Sequence, residues 1–278
     1  MRWRCAERVF DLEAGPLVMG ILNVTPDSFS DGGRYFEPQA AVSRGRQLVE
    51  EGAALLDLGG ESTRPGSAPV APEEQWRRIA PVLQELARDS RAALSIDTSS
   101  AWVAERALAA GATVVNDITA LRDPAMAGVV RAAHAGLVLM HMKGTPADMQ
   151  RDPRYEDAAG EIQDWLAVRM RGAVHAGIDQ ESIALDPGIG FGKKVDHNLR
   201  LLAGLDRLAA LGRPVVVGVS RKSFLGKLLD DAPVDQRLEG GLAAAAVAVF
   251  RGASVVRTHD VAATLRAVRL AAAIRSHS

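Results

Sequence analysis

Three short apolar runs in this chain end on side chains that could read a heterocycle. "SIDTS" closes on Asp97, "VVND" reaches Asn116, and "ALDPGIGFGK" turns at Asp186. Two carboxylates and an amide suit a flat ring with an amino-imino edge, because a carboxylate accepts two parallel N–H bonds from a guanidine-like group. Buried carboxylates without a cation adjacent in sequence are costly unless a ligand supplies donors. Charge of the opposite sign follows other runs: Arg64 in "GGESTRPGS", Lys222 in "GVSRKS", and Arg257 and His259 in "VVRTHD". Such a set suits a phosphate or diphosphate beside the ring. Asn23, which ends "MGILN", offers an oxygen to Mg²⁺, an ion that keeps several waters and shares substrate phosphates. A single polar residue after a strand is readily explained as a helix N-cap, and Asp97 or Asp260 alone could be that. Capping does not call for Lys222 beside Arg221, or for Arg257 two residues before His259.

The elements that must position these groups are legible as repeated units. Apolar runs occur at Val18–Leu22, Leu55–Leu58, Leu94–Ile96, Thr113–Val115, Leu137–Met140, Ile183–Leu185, Val215–Val219 and Val255–Val256. Helical spacing fills Ala40–Glu51, Glu73–Leu86, Ala101–Ala110, Glu156–Ala176, Asn198–Leu211, Gln236–Arg251 and Val261–Arg275. Gly52, Gly111, Gly136, Gly177, Gly212 and Gly252 fall where a left-handed helix end is expected. Strands apolar on both faces and alternating with helices imply a parallel sheet covered by helices. Eight units in 278 residues match a (β/α)₈ TIM barrel, whose active site lies at the C-terminal ends of the strands. A doubly wound open sheet is the alternative. Residues 1–10, "MRWRCAERVF", precede the first unit and suit a short hairpin closing the barrel bottom. With no linker or low-complexity tract, residues 1–278 are expected to form one domain.

Composition narrows the class. Charged residues make up 24% and the formal net charge is −1, so there is no basic excess of the nucleic-acid-binding kind. Aromatics at 4% argue against base-stacking platforms. A single cysteine, Cys5, excludes an intrachain disulfide and fits a reducing compartment. No signal-peptide pattern opens the sequence. The longest apolar stretch, Leu242–Phe250, is well short of the roughly 20 residues of a membrane span and reads as a buried, alanine-packed helix. A cytoplasmic protein is expected. "DPGIGFGK" contains G-x-G-x-G but follows the sixth strand without the acidic partner of a dinucleotide fingerprint. It reads instead as a tight turn bringing Phe191 to the ligand face.

"MGILNVTPDSFSDGG", "DLGGESTRPGS", "SIDTS", "VVNDI", "MHMKGTP", "DPGIGFGK", "GVSRKSFLG" and "VVRTHDV", taken together and in this order, resemble the dihydropteroate synthase family of pterin-binding enzymes, the sulfonamide targets of folate biosynthesis. The resemblance spans Met19 to Val261. It implies a (β/α)₈ fold, a homodimer, Mg²⁺, and condensation of 6-hydroxymethyl-7,8-dihydropterin diphosphate with 4-aminobenzoate to give 7,8-dihydropteroate and diphosphate. By motif, Asp97, Asn116, Asp186 and Lys222 would hold the pterin edge, and Arg257 would lie over its face. Ile118, Met140 and Phe191 would line the pocket. Asn23 would bind Mg²⁺, and Arg64, Arg257 and His259 the diphosphate. Thr63, Pro65, Ser223 and Phe29 would form the 4-aminobenzoate site. Asp97, Asp186, Lys222 and Arg257 would carry catalysis.

No Ser or Cys nucleophile with a base partner is evident. A dissociative path, in which the leaving group is stabilised and the dihydropterin delocalises a cation, fits the residues. Water must then be kept from the cation. The loops 24–37 and 61–72, rich in Gly, Pro and Ser, are expected to order only around diphosphate and Mg²⁺. Two other readings share the pterin edge: a methyltetrahydrofolate–corrinoid methyltransferase and a non-catalytic pterin-binding paralogue. The first has little use for Arg64, Lys222 and "RTHD" together. The second is disfavoured because every motif residue is present.

Overall fold

The computed structural model describes residues 1–25, 38–63 and 65–277. A two-stranded antiparallel hairpin, β1 (Arg2–Cys5) and β2 (Arg8–Asp11), comes first. Eight strands follow: β3 (Leu17–Asn23), β4 (Leu55–Gly59), β5 (Ala93–Asp97), β6 (Val114–Asp117), β7 (Gly136–Met140), β8 (Ile183–Asp186), β9 (Val216–Gly218) and β10 (Val255–Thr258). Each pairs in parallel with its neighbour, in the order β8-β7-β6-β5-β4-β3-β10-β9. A parallel bridge between Leu185 and Val215 joins the two ends. The sheet is therefore a barrel, and the open-sheet alternative is set aside.

Helices α1 (Pro38–Glu50), α2 (Pro72–Asp89), α3 (Ala101–Ala109), α4 (Met126–Ala132) and α5 (Ala158–His175) pack outside the first strands. Helices α6 (Val195–Ala203), α7 (Leu205–Ala209), α8 (Ser223–Leu228), α9 (Leu238–Phe250) and α10 (Val261–Arg275) complete the ring. The single helix expected over Asn198–Leu211 is two, divided at Gly204. Helix α9 also differs from expectation. Ala245, Ala248 and Val249 are buried, but Val247 and Phe250 are exposed, as are Leu270 and Ile274 of α10. One apolar face is used for the core and the other is left on the surface.

Side chains alternate in and out along each strand, so the barrel interior is built in layers. The lowest layer is Met19, Leu55, Ala93, Val114, Val138, Ala184, Val216 and Val255, packed on buried Trp3 and Cys5 of the hairpin. Trp3 Nε1 donates to the Ser182 carbonyl at 2.9 Å, and Arg213 donates to the carbonyls of Ile183, Arg2 and Glu181. The hairpin thus closes the bottom of the barrel. It also explains Gly136, whose φ is not left-handed. A Cβ there would stand 2.6 Å from Cys5 Sγ. The left-handed turn expected of Gly136 is made by His134, at φ 49.

Candidate active site

Two residues beyond the apolar layer, the same alternation gives Ile21, Asp57, Ser95, Asn116, Met140, Asp186, Gly218 and Arg257. A further two give Asn23, Gly59, Asp97, Ile118, Met142, Gly188, Ser220 and His259. A dry apolar floor therefore carries a polar layer at the C-terminal ends of the strands.

Asp57 organises that layer. It is wholly buried and accepts from Ser95 Oγ at 2.5 Å, Asn116 Nδ2 at 2.9 Å and Arg257 Nε at 2.6 Å. Arg257 Nη2 reaches Asp97 at 2.8 Å. Burial would lower the Arg257 pKa, but Asp57 and Asp97 outweigh it and hold the guanidinium above its usual range. Burial pushes Asp97 up to about 7, opposed by Arg257 and assisted by Asp57. From sequence alone, the donors for Asp97 are expected from a ligand. In this state Arg257, 160 residues from Asp97, supplies them from within the protein.

Asp186 ends β8 beside the "DPGIGFGK" turn and accepts from the Gly188 N–H at 2.6 Å. Burial raises its pKa, with Lys222 opposing. Lys222 stands over the Phe191 ring at 4.7 Å and donates to the Ile189 carbonyl. Burial brings its pKa down to about 8, against the pull of Asp186. Gly188 is required by contact: at φ +67, a Cβ would lie 1.9 Å from the His141 carbonyl oxygen. The turn is clamped by buried Lys193, which reaches His141 Nδ1 at 3.1 Å and the Phe191 carbonyl at 2.8 Å. Burial, then Lys193, pushes His141 down to about 3, so its ring is neutral and accepts at Nδ1. Ile118, Met140, Met142 and Met149 form an apolar wall with Phe191 against it, as the turn reading of this stretch expects.

At the opposite side, the His259 N–H donates to Ser220 Oγ at 3.3 Å, and that hydroxyl lies 3.0 Å from His259 Nδ1. Arg44 donates to the His259 carbonyl at 2.9 Å. Asn23 is half-buried at the end of β3, in register with Gly59, which in turn is in register with Asp97. Thr63 and Pro65 lie in the β4–α2 loop and Ser223 opens α8, all outside the hydrogen-bonded cluster. Phe29 and Arg64 lie outside the described residues, as does most of the loop 24–37. The loop 61–72, expected to order only around ligand, has its own ties. Glu61 accepts from the Val70 N–H at 2.8 Å and from Gln75 Nε2 at 3.1 Å, and Thr98 bonds Gln75 Oε1 at 3.0 Å.

Asp57 and Lys193 are the functional-site residues that sequence reasoning missed. The signal for Asp57 was present: a carboxylate inside the apolar strand "LLDLG". No cluster of three or more His, Cys, Asp or Glu that could hold a metal ion occurs among the described residues. Asn23 offers one amide oxygen, a donor of the kind that an ion such as Mg²⁺ takes beside water and substrate phosphate.

A TIM barrel with a polar layer of opposed charges at the strand C-termini defines a small-molecule enzyme site. Residues 19–259 match the pterin binding enzyme family. The dihydropteroate synthase of Neisseria meningitidis serogroup C is 46% identical over 258 residues, covering 91% of each chain. The Xanthomonas albilineans dihydropteroate synthase with 4-aminobenzoic acid superposes with a TM-score of 0.92 at 46% identity, over 99% of this chain and 98% of that one. The same enzyme in complex with 7,8-dihydropteroate gives 0.89 at 42% identity, over 99% of both chains. The chain belongs to the pterin-binding enzyme family.

Proposed function

We propose that this protein is the transferase that joins 6-hydroxymethyl-7,8-dihydropterin diphosphate to 4-aminobenzoate, yielding 7,8-dihydropteroate and diphosphate in folate biosynthesis. The observation that carries this reading is the convergence of Asp97, Asn116, Asp186 and Lys222 at one barrel mouth, in a chain 46% identical to a dihydropteroate synthase.

The residues divide the chemistry. Asp97, Asn116 and Asp186 receive the polar edge of the pterin, with Met140, Ile118 and Phe191 against its faces. Arg257 and His259 hold the diphosphate, joined by Arg64. In the tautomer in which Ser220 donates to Nδ1, His259 carries its proton on Nε2 and donates it to a phosphate oxygen. The C–O bond to the diphosphate breaks heterolytically and the oxygen keeps the electron pair. The positive charge left on the dihydropterin methylene spreads into the ring, where the carboxylates of Asp97 and Asp186 favour it. The arylamine nitrogen then bonds to that carbon and gives up a proton. Thr63, Pro65, Ser223 and Phe29 hold the arylamine. Mg²⁺, held by Asn23, would neutralise charge on the departing diphosphate.

The whole chain works as one domain in the cytoplasm. No helix among the described residues is long and apolar enough to cross a membrane. It pairs as a homodimer through the exposed apolar face of α9 and α10, where Val247 and Leu270 are 48% and 65% exposed. A Leu270→Glu, Val247→Glu double variant should sediment as a monomer while the parent sediments as a dimer. A monomeric parent would remove the assignment.

The deciding experiment is dihydropteroate formation by the purified protein, with diphosphate release followed in parallel, with and without Mg²⁺. Tight pterin binding without product would revive the paralogue reading. Methyl transfer from methyltetrahydrofolate would establish the corrinoid reading.

A further inference from the structure

Among the groups in the barrel mouth, Asp57 has no task in the reaction described above, yet it accepts three side-chain hydrogen bonds. Donors reach it from three different strands: Ser95 on β5, Asn116 on β6 and Arg257 on β10. A carboxylate receiving a guanidinium N–H can only accept, so the bond from Asn116 at 2.9 Å must come from its NH₂ group. That fixes the amide: Nδ2 points at Asp57 and Oδ1 points away. Among the described residues Oδ1 accepts no hydrogen bond, and the one fully buried side-chain polar atom without a partner is Thr113 Oγ1. The Asn116 oxygen is therefore open to the cavity.

We infer that Asp57 is a positioning residue that sets pterin specificity, by holding Asn116 with its carbonyl toward the ligand and Arg257 at the rim above it. This rests on the pterin reading of the site. A ligand meeting Asn116 must present an N–H; one presenting a carbonyl there meets an oxygen that cannot turn away. Ser95 contributes by fixing Asp57 Oδ1 at 2.5 Å, which leaves Oδ2 for Asn116 and Arg257. Replacing Asp57 by Asn puts an amide opposite an amide. Asn116 is then free to flip, and acceptor and donor become equally available to the ligand.

The test compares binding of 6-hydroxymethylpterin and of its 2-oxo counterpart, 6-hydroxymethyllumazine, by calorimetry on the full-length protein. Wild type should prefer the pterin strongly. Asp57→Asn should weaken pterin binding at least tenfold and bring the ratio of the two affinities down by a similar factor. The KM for 4-aminobenzoate should stay within about twofold. General loosening of the fold would weaken both pteridines alike and keep their ratio. Ser95→Ala, a smaller change, should move the ratio in the same direction by a few-fold, and it decides alone if Asp57→Asn does not fold. A folded Asp57→Asn with the wild-type ratio, or an unchanged ratio in Ser95→Ala where only that variant folds, would overturn the inference. Wild type that binds neither pteridine would instead overturn the pterin reading itself.

Discussion

Removing Arg257 should destabilise the protein in a pH-dependent way. Its guanidinium is the cation bonded to two buried carboxylates, at 2.6 Å to Asp57 and 2.8 Å to Asp97. Taking away one partner of a buried ion pair costs about 3–5 kcal/mol, because the remaining charge is left without compensation. Asp97 can escape by staying protonated, since its folded pKa is about 7 even with Arg257 in place. A carboxyl whose folded pKa lies above its unfolded value contributes stability that is full below the unfolded pKa and is lost as pH rises through the folded one. In the wild type that loss is complete near pH 7. In Arg257→Ala the lowering influence of the guanidinium is gone, so Asp97 stays neutral to higher pH and the loss continues. At pH 6 Asp97 is mostly protonated in both folded proteins and its effect cancels, leaving about 3 kcal/mol from Asp57. Between pH 7 and 8.5 the difference should grow by up to about 1.4 kcal/mol per unit, or roughly 2 kcal/mol in all. Urea unfolding of both proteins at pH 6, 7 and 8.5 measures it. Equal destabilisation at pH 6 and 8.5, or less than about 1 kcal/mol at either, would show that Arg257 does not compensate these carboxylates.

The same titration should appear in ligand binding. Only the ionised Asp97 accepts two pterin N–H bonds, so affinity for 6-hydroxymethylpterin should fall, approaching tenfold per unit, as pH drops below about 7. Calorimetry from pH 8 to 5.5 checks this, and a flat profile would remove Asp97 from the pterin edge. Gly188→Ala should fold poorly or bind pterin at least tenfold more weakly, because its Cβ would stand 1.9 Å from the His141 carbonyl oxygen. Gly128→Ala in α4, where a Cβ meets nothing within 4 Å, should instead be neutral or stabilising by up to about 1 kcal/mol. Melting curves for the two variants separate contact from composition. Trp3→Ala should cost about 3–5 kcal/mol while leaving the KM for both substrates unchanged, since the hairpin lies beneath the apolar layer and away from the substrates. A changed KM would mean that the barrel bottom is coupled to its mouth.

Much of the barrel was legible because its signals are local. All eight strands overlap the apolar runs that foretold them, six containing the whole run, and Val261–Arg275 is a helix with the expected bounds. What was missed has non-local or weak causes. Helices α4 and α8, of seven and six residues, are too short to show a helical period. Gly136 looked like a helix end because glycine there usually means a left-handed turn; its cause is Cys5, 131 positions earlier in the chain. The exposed face of α9 was unreadable for another reason. Ala and Val on both sides of a helix look the same whether the second face meets the core or another surface.

The site shows the same division between local and distant causes. Which residues stand at the strand ends follows from sequence, and so does the opposed chemistry of carboxylates and cations. Their pairing does not, because Asp57 and Arg257 are 200 residues apart and meet only when β10 closes against β3. Yet strand alternation would have found Asp57 without coordinates. Counting two residues back from Asp97 gives Ser95, and the corresponding step in "LLDLG" from Gly59 gives Asp57. An inward-facing carboxylate one layer below the rim must be matched by donors that also face inward. Asn116 and Arg257 satisfy that requirement at their own strands. The position of an acid within its strand is therefore more informative than its membership of a motif, for Asp57 is the first residue of "DLGGESTRPGS".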